Sequence, residues 1–214
     1  MLLINERKKI IEFGHKMIAA KLSHSTGGNL SIMNRKEKLI AITPSGVEYS
    51  KLKDQDIIVI DFKGNIVQGN LKPSSETNFH LAIYSNRNDI NAIVHTHSIF
   101  ATTYACLNRE IQPIHYLIGF AGKNVPVAPY ATYGTTELAD NIISSMGNSN
   151  AILLANHGLV AVGGNILSAF NVALEIEFVA EVSYRAENIG KPTILSNDEM
   201  DKVIKKFKNY GVKV

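Results

Sequence analysis

The sequence predicts an α/β fold in which helices cover a mixed or largely antiparallel sheet. Apolar runs typical of strands alternate with stretches of helical spacing along the chain, as expected for a sheet packed against helices. Several predicted strands follow one another through short turns, which favours antiparallel pairing. The length of 214 residues, with no repeat or low-complexity linker, fits a single domain over residues 1–214.

The first part of the chain predicts one helix followed by three strands. Residues 5–22 carry apolar side chains at the spacing of one helical face. A glycine-containing break at 25–29 separates this helix from a short strand at 30–33. The runs at 39–43 and 56–61 are rich in β-branched residues and predict two more strands, the second ending at a Lys-Gly-Asn turn.

The middle of the chain predicts a helix, a strand and a second helix. Ser75 is placed to cap a helix over residues 76–84. The apolar run at 91–97 predicts a buried strand that becomes polar at its end, and a helix follows over 99–107. The single cysteine, Cys106, lies in this apolar run, where a free cysteine is typical of a small core residue.

The last part of the chain completes the alternation of helices and strands. A threonine at 135 or 136 opens a helix that ends near 147, and apolar runs predict strands at 151–158 and 159–164. The longest helical pattern covers 166–188. The final helix, 197–208, begins with an asparagine in the capping position and two acidic residues in the first turn.

The overall composition argues against several functional classes. The formal charge is only +3 and the lysines are spread along the chain apart from the 202–208 stretch, so no nucleic-acid-binding face is indicated. The N-terminus lacks the apolar core of a signal peptide, and no apolar run reaches the roughly 18 residues of a membrane span. We therefore expect a cytoplasmic protein that binds neither nucleic acid nor membrane.

Three histidines at strand ends indicate a metal site. His95 and His97 are two residues apart at the end of the 91–97 strand, so their side chains point to the same face. His157 closes another apolar strand, and two strands of one sheet can bring the three rings together. Three protein ligands and one open position are typical of catalytic zinc. For any one of these histidines alone, a hydrogen-bonded core or surface role is the alternative.

A carboxylate near the start of a helix is a candidate general base. Glu76 lies in the first turn of the predicted 76–84 helix, where the helix dipole favours the ionised form. Such a carboxylate can take a proton from a metal-bound substrate, although a simple capping role also fits. His80 follows four residues later on the same helical face, and we interpret this spacing as an ordinary surface pair rather than a metal site.

Three hydroxyl-rich segments are candidates for binding an anion. Ser74 and Ser75 precede a helix whose first turn has free backbone N–H groups. The segments TGGNLS (26–31) and TPSG (43–46) contain glycine and several donors, and loops of this kind can cradle a phosphate. Neither matches the phosphate-binding loop of nucleotide hydrolases, and each alone is also typical of an ordinary turn.

Together these segments resemble the class II aldolase and adducin-head family over nearly the whole chain. The landmarks in order are TGGNLS (26–31), ITPSG (42–46), KPSSE (72–76), VHTH (94–97), IHY (114–116), APYATYGT (128–135), LLANHGL (153–159) and KFKNYG (206–211). One such segment alone would indicate little, but eight in the family's order are specific.

The resemblance implies a fold, an assembly and a set of site residues. The fold would be a three-layer α/β/α sandwich with a central mixed, largely antiparallel sheet, and the assembly a homo-oligomer, usually a C4 tetramer with sites between subunits. His95, His97 and His157 match the ligands of one Zn²⁺ per subunit, and Glu76 matches the catalytic base. The positions that match the family's phosphate-binding residues are Asn29, Ser45, Gly46, Ser74 and Ser75.

The resemblance also assigns two tyrosines and a reaction. Tyr116 matches a tyrosine that reaches into the neighbouring subunit's site and handles the proton on the aldehyde oxygen, and Tyr210 matches one on the C-terminal tail. The implied enzyme is a zinc-dependent aldolase that cleaves a deoxyketose 1-phosphate of the L-fuculose type to dihydroxyacetone phosphate and a small aldehyde such as lactaldehyde. Tyr133 stands where such aldolases often carry phenylalanine, so the aldehyde preference stays open.

Four alternatives share this fold or this metal site. The substrate can instead be 5-deoxyribulose 1-phosphate, or the enzyme a sugar-phosphate 4-epimerase or a methylthioribulose-1-phosphate dehydratase. The epimerase is disfavoured because residues 114–125 contain no aspartate. The fourth alternative is a non-catalytic scaffold like the adducin head. The presence of all three histidines and Glu76 argues against it.

Overall fold

The computed structural model describes residues 1–207, and within them eight strands form one sheet. The strands are β1 (Asn29–Asn34), β2 (Leu39–Ile42), β3 (Ile58–Ile60), β4 (Ile66–Gln68), β5 (Ala92–Thr96), β6 (Val127–Ala128), β7 (Ala151–Leu154) and β8 (Gly158–Gly163). The α-helices are α1 (Ile4–Ala19), α2 (Thr77–Asn86), α3 (Ile99–Cys106), α4 (Thr136–Met146), α5 (Ile166–Ile189) and α6 (Asn197–Phe207).

The sheet is mixed and largely antiparallel, as the sequence predicts. Its strand order is β4-β3-β2-β1-β5-β8-β7-β6. Every neighbouring pair in this order is antiparallel except β6 and β7, which run parallel. Strands joined directly through short connections, such as β1 to β2 and β7 to β8, can pair only in the antiparallel sense, because a parallel pair needs a long crossover.

Helices cover both faces of this sheet, which confirms the α/β/α layering. Because side chains alternate across a strand, Val94 packs in a core with α1, α3 and α5, whereas its neighbour Ile93 packs in a second core with α2 and α4. The same alternation separates Leu159 from Val160 in β8. Strands buried on both faces read as continuous apolar runs, and this explains the uninterrupted sequences of β7 and β8.

Two predicted helix caps are wrong by one residue. Glu76, rather than Ser75, is the N-cap of α2, and it has non-helical backbone angles of φ −103° and ψ 15°. Ser196, rather than Asn197, caps α6, because its Oγ accepts a hydrogen bond from the backbone N–H of Glu199 at 3.2 Å. In each case two adjacent residues can both cap, and only the path of the preceding chain decides between them. Of the two threonines predicted to open α4, Thr135 is the cap.

The prediction that Cys106 is a core residue is wrong. It ends α3 with its side chain exposed, while Ala101, Tyr104 and Ala105 of the same helix are buried. An apolar run in a helix has an outer face as well as an inner one, so apolar character alone does not show burial. The short strands β4 and β6 were not predicted, since runs of three and two residues are too short for a periodic pattern.

The middle of the sheet positions the candidate site. His95 of β5 pairs with Asn29 of β1 on one side and with Val160 of β8 on the other.

None of the helices within residues 1–207 combines the length and the apolar character that a membrane-spanning helix requires.

Candidate active site

The three histidines selected from their spacing come together in the structure. His95 lies near the end of β5, His97 directly follows that strand, and His157 lies in the turn between β7 and β8. Their ligand atoms all lie within 4.8 Å of one another, and the Nε2 atoms of His95 and His97 are 3.0 Å apart. This is a geometry in which three imidazole nitrogens can hold one metal ion.

The turn between β7 and β8 needs special backbone positions to present His157. Asn156 has a positive φ of 56°, a left-handed conformation that asparagine tolerates better than most residues. Gly158 allows β8 to approach β5 closely, because a Cβ there would lie 2.3 Å from the carbonyl oxygen of Thr96 and 3.0 Å from the His97 ring. The Asn-His-Gly sequence therefore suits the local geometry as well as the chemistry.

Hydrogen bonding and burial leave the histidines ready to act as ligands. Nδ1 of His95 lies 3.0 Å from the Leu159 carbonyl oxygen, so Nδ1–H donates there and the ring directs its Nε2 toward Nε2 of His97. Burial, reinforced by the other histidines, lowers the pKa of His97 to about 3 and the pKa of His157 to about 4. Neutral imidazoles gathered around one point are the ligand set that a divalent transition metal prefers.

Glu76 completes this cluster from the helical layer. Its Oε2 lies 3.1 Å from His95 Nε2, and its Oε1 lies 3.4 Å from His157 Nε2. Oε1 is buried without a hydrogen-bond partner, so this polar atom faces the space between the rings unsatisfied. Burial alone raises the pKa of Glu76, but His95, His157 and Asn29 outweigh it and hold the pKa far below its usual range. A cation between the rings fits both the carboxylate and the free nitrogens.

The interpretation of His80 as a surface residue is wrong. His80 is fully buried, and its Nε2 lies 2.5 Å from Asn29 Oδ1. Its Nδ1 lies 2.7 Å from Ser31 Oγ, which in turn lies 2.7 Å from the hydroxyl of Tyr84. Asn29 Nδ2 donates to Glu76 Oε2 at 2.8 Å, so this polar chain ends on the carboxylate.

The spacing of residues in the sequence gives a partial indication of this network. Glu76, His80 and Tyr84 are spaced four residues apart and so share one face of α2, and Asn29 and Ser31 share one face of β1. The spacing shows that each set shares a face but not that the two faces meet. Only the packing of α2 against β1 brings them into contact.

The three hydroxyl-rich segments also meet near Glu76. Ser45 N–H donates to the Lys72 carbonyl oxygen, and Ser74 N–H donates to the Thr43 carbonyl oxygen, both at 3.0 Å. Thr43 Oγ1 accepts from the N–H of Leu30 at 3.2 Å, which joins the 26–31 segment to the other two. These bonds fix the three segments against one another.

Within these segments, the predicted phosphate-binding residues differ in exposure. Ser45, Gly46 and Ser75 are exposed, so they are free to meet a ligand. Ser74 is buried and its Oγ accepts a hydrogen bond from the Glu76 N–H at 3.2 Å. Asn29 is buried and its side chain bridges Glu76 and His80.

The structure describes one of the two predicted tyrosines. Tyr116 begins a short 3₁₀ helix, Tyr116–Phe120, and its side chain is half exposed. Its ring lies 4.8 Å from that of His115 and 6.1 Å from that of Phe207, measured between centroids. Tyr210 lies outside the described residues.

Comparison with known proteins identifies the family. Residues 8–184 match the family described as "Class II Aldolase and Adducin N-terminal domain". A protein of Bacillus thuringiensis serovar kurstaki named "5-deoxy-D-ribulose 1-phosphate aldolase" is 50% identical over 211 residues, covering 99% of each chain. The chain belongs to the class II aldolase family.

Two further known proteins are similar to this class II aldolase over nearly its whole length. A Rhodospirillum rubrum protein named "5-methylthioribulose-1-phosphate/5-deoxyribulose-1-phosphate aldolase" is 41% identical over 206 residues, covering 96% of this chain and 92% of the relative. A solved structure named "L-fuculose 1-phosphate aldolase" superposes with a TM-score of 0.94 at 45% identity, covering 95% of this chain and 96% of that one. Class II aldolases are metal-dependent lyases, and the histidine triad of this one can bind a metal ion.

Proposed function

We propose that this class II aldolase binds one Zn²⁺ per subunit through His95, His97 and His157 and cleaves a deoxyketose 1-phosphate. The products would be dihydroxyacetone phosphate and a small aldehyde. The observation that carries this proposal is the cluster of imidazole nitrogens within 4.8 Å of one another, with the carboxylate of Glu76 beside it. The three ligands leave a coordination position for substrate, as in catalytic zinc sites.

The proposed cleavage moves one electron pair and two protons, one leaving the C4 hydroxyl and one arriving at C3. The C3–C4 bond of the ketose phosphate breaks, its electron pair moves to C3, and the C4 hydroxyl loses its proton to become the aldehyde. Glu76 then delivers a proton to C3 to give dihydroxyacetone phosphate, and in the reverse direction it removes that proton. A bound zinc ion supplies Lewis-acid polarisation of the C2 carbonyl.

Two tyrosines are proposed for the aldehyde side of the reaction. Tyr116 of a neighbouring subunit would take the C4 hydroxyl proton, and Tyr210 would contribute from the C-terminal tail. Tyr116 is half exposed on its own subunit, which makes its hydroxyl available to a second copy. Exposed apolar side chains beside His97, among them Ile99 and Leu107, also suit a subunit contact. We therefore propose a homo-oligomer, with the C4 tetramer implied by the family resemblance as the expected form, and light scattering of the purified enzyme tests the number of subunits.

The phosphate group is proposed to lie where the three hydroxyl-rich segments meet. Ser45, Gly46 and Ser75 offer exposed donors, and Ser74 and Asn29 line the buried side. None of these segments contains arginine, so the site must use hydroxyls, an amide and backbone N–H groups in place of a guanidinium. Lys72 adjoins them and adds positive charge.

The names of the relatives favour an aldolase and a five-carbon substrate. Relatives at 50% and 41% identity are named as aldolases of 5-deoxyribulose 1-phosphate, and the neighbour at 45% identity is named for L-fuculose 1-phosphate. We therefore rank 5-deoxyribulose 1-phosphate ahead of the L-fuculose type expected from the resemblance. The two differ at the aldehyde end, where a few pocket contacts of about 1–3 kcal/mol each set the preference.

A panel assay tests both the reaction and the substrate. The zinc-loaded enzyme is incubated with 5-deoxyribulose, 5-methylthioribulose and L-fuculose 1-phosphates, and dihydroxyacetone phosphate release is measured. We expect the highest kcat/KM with 5-deoxyribulose 1-phosphate. A dehydratase would instead release water and retain all the carbon atoms of its substrate, a 4-epimerase would return an isomer, and a scaffold would leave every compound unchanged.

A further inference from the structure

A chain of buried hydrogen bonds leads from Tyr84, near the C-terminal end of α2, to the carboxylate of Glu76. The side chains in order are Tyr84, Ser31, His80, Asn29 and Glu76. Tyr84, Ser31 and His80 are fully buried, so water cannot replace any of these partners. Each polar group must therefore find its donor or acceptor among the other side chains of this hydrogen-bonded series.

The chemistry of the groups allows only one direction for this chain. The NH₂ of Asn29 donates to Glu76 Oε2 at 2.8 Å, and its carbonyl oxygen, which can only accept, faces His80. The His80 Nε2 atom must then carry the proton, and its Nδ1 must accept from the Ser31 hydroxyl. Burial lowers the pKa of His80 to about 3, in keeping with a neutral ring that donates at one nitrogen and accepts at the other.

The ring of His80 is also held in place. It is stacked on Phe79, with centroids 4.6 Å apart and planes inclined by 17°. Ser31 accepts from the Tyr84 hydroxyl, so its own proton is directed at His80 Nδ1. A buried ring with fixed plane and fixed tautomer leaves the Asn29 amide a single orientation, because the flipped amide would bring its oxygen against the carboxylate.

We propose that His80 is a positioning residue for Glu76, acting through the Asn29 amide. This inference rests on the proposed function, because it concerns the carboxylate that moves the proton at C3. The hydrogen bond from Asn29 holds Glu76 Oε2, and Oε1 is thereby left free of protein donors and directed at the space between the rings. Without the proton on His80 Nε2, the Asn29 amide loses the contact that opposes its rotation, and the carboxylate loses its fixed angle.

Two amide substitutions at position 80 separate positioning from general structure. In His80→Gln, the longer side chain places its amide near the former Nε2 and can still donate to Asn29. In His80→Asn, the shorter amide lies near the former Nδ1, keeps a partner in Ser31 and leaves Asn29 without its donor. The two variants are matched in polarity and neutrality, and they differ mainly in which ring nitrogen is replaced. His80→Phe is a third variant that lacks both polar groups.

The measured quantity is the Glu76-dependent exchange of the C3 proton of dihydroxyacetone phosphate in D₂O, followed by NMR at saturating substrate. Zinc content and Tm are measured on the same samples. We expect His80→Asn to retain zinc and lose about 10–100-fold in exchange rate, the range for outer-shell partners of metal sites. We expect His80→Gln to recover most of the wild-type rate. The role is overturned if His80→Asn exchanges at the wild-type rate, or if both amide variants are equally impaired.

A second measurement does not depend on activity. In ¹⁵N-histidine NMR spectra of the purified enzyme, a resonance absent from His80→Phe should report a neutral ring protonated at Nε2. A ring protonated at Nδ1 would overturn the directed chain. Wild-type enzyme and Glu76→Gln serve as references, so that a failure of the proposed aldolase function can be told from a failure of the role proposed for His80. If wild type fails to exchange the proton, the proposed function fails, whereas normal wild-type exchange together with unaffected His80→Asn overturns the role of His80 alone.

Discussion

Two sets of residues adjoin Glu76, the triad of His95, His97 and His157 and the His80 set of Asn29, Ser31, His80 and Tyr84, and they differ in what their histidine ring nitrogens face. In the triad, the Nε2 atoms of His95 and His97 are 3.0 Å apart, and the carboxylate of Glu76 lies beside them. At His80, each ring nitrogen has an oxygen as its hydrogen-bond partner. Nε2 donates to Asn29 Oδ1, and Nδ1 accepts from Ser31 Oγ. The triad is therefore suited to binding a cation, whereas both ring nitrogens of His80 already have hydrogen-bond partners.

The comparison shows that the partners of a histidine, and not its burial, decide its role. His95 and His80 are both fully buried, and both are within reach of the same carboxylate. His95 contacts Glu76 directly, and His80 acts on it through Asn29. One buried histidine therefore belongs to the set that can bind metal, and the other to the set that can hold the base.

The largest effect should follow from removing one triad ring. His157→Ala leaves two imidazoles and should lose most of its zinc, and activity should fall by more than the roughly 10²–10³-fold that one transition-state hydrogen-bond donor contributes. Metal analysis and dihydroxyacetone phosphate release measure the two losses. His15→Ala is the matched control, because His15 is exposed on α1 and bonds only the Tyr49 carbonyl oxygen among its described contacts. Full zinc occupancy in His157→Ala would refute the ligand assignment.

The next effect should come from the carboxylate that both sets touch. Glu76→Gln keeps an oxygen for the Asn29 donor, so we expect normal folding and zinc content. Turnover should drop by about 10²–10⁴-fold, the usual contribution of a positioned base. Proton exchange at C3 of dihydroxyacetone phosphate measures this step separately from cleavage. Exchange at the wild-type rate would show that another group moves the proton.

A smaller effect is expected at the phosphate, where neither histidine set is involved. Ser75→Ala should weaken binding of dihydroxyacetone phosphate by about 1.5–3 kcal/mol, as for one hydrogen bond to a charged group. Zinc content should not change, because Ser75 is exposed and outside the triad. Calorimetric titration compares this variant with Ser144→Ala, an exposed serine on α4. If Ser75→Ala weakens unphosphorylated dihydroxyacetone equally, the segment binds a part of the ligand other than its phosphate.

The smallest effect should appear at the far end of the His80 set. Tyr84→Phe removes the hydroxyl that donates to Ser31 and should lower the free energy of unfolding by about 0.5–1.5 kcal/mol. Zinc content should stay at the wild-type level, since Tyr84 reaches the metal-binding set only through four intervening side chains. Denaturant unfolding and metal analysis measure the two quantities. Zinc loss in this variant would mean that the two histidine sets are not separate.

Several features could be predicted from the sequence because they depend on local periodicity. The pairing of His95 with His97 follows from the two-residue repeat of a strand, and His157 follows from its place after a second apolar strand. The mixed sheet follows from strands joined by short turns. Cys106 and His80 were misjudged, since in both cases the helix was predicted but not which face met the sheet.

The sequence by itself determined the order of the longer elements, the family and the residues able to bind metal, because these depend on residue type and on spacing within single elements. Only the tertiary structure decided that α2 lies over β1, which turns two separate polar faces into one chain from Tyr84 to Glu76. The physical reason is sequence separation. The hydrogen-bonded partners that join α2 to β1 in this network are 47 to 53 residues apart, and spacing within one element carries no information about such contacts.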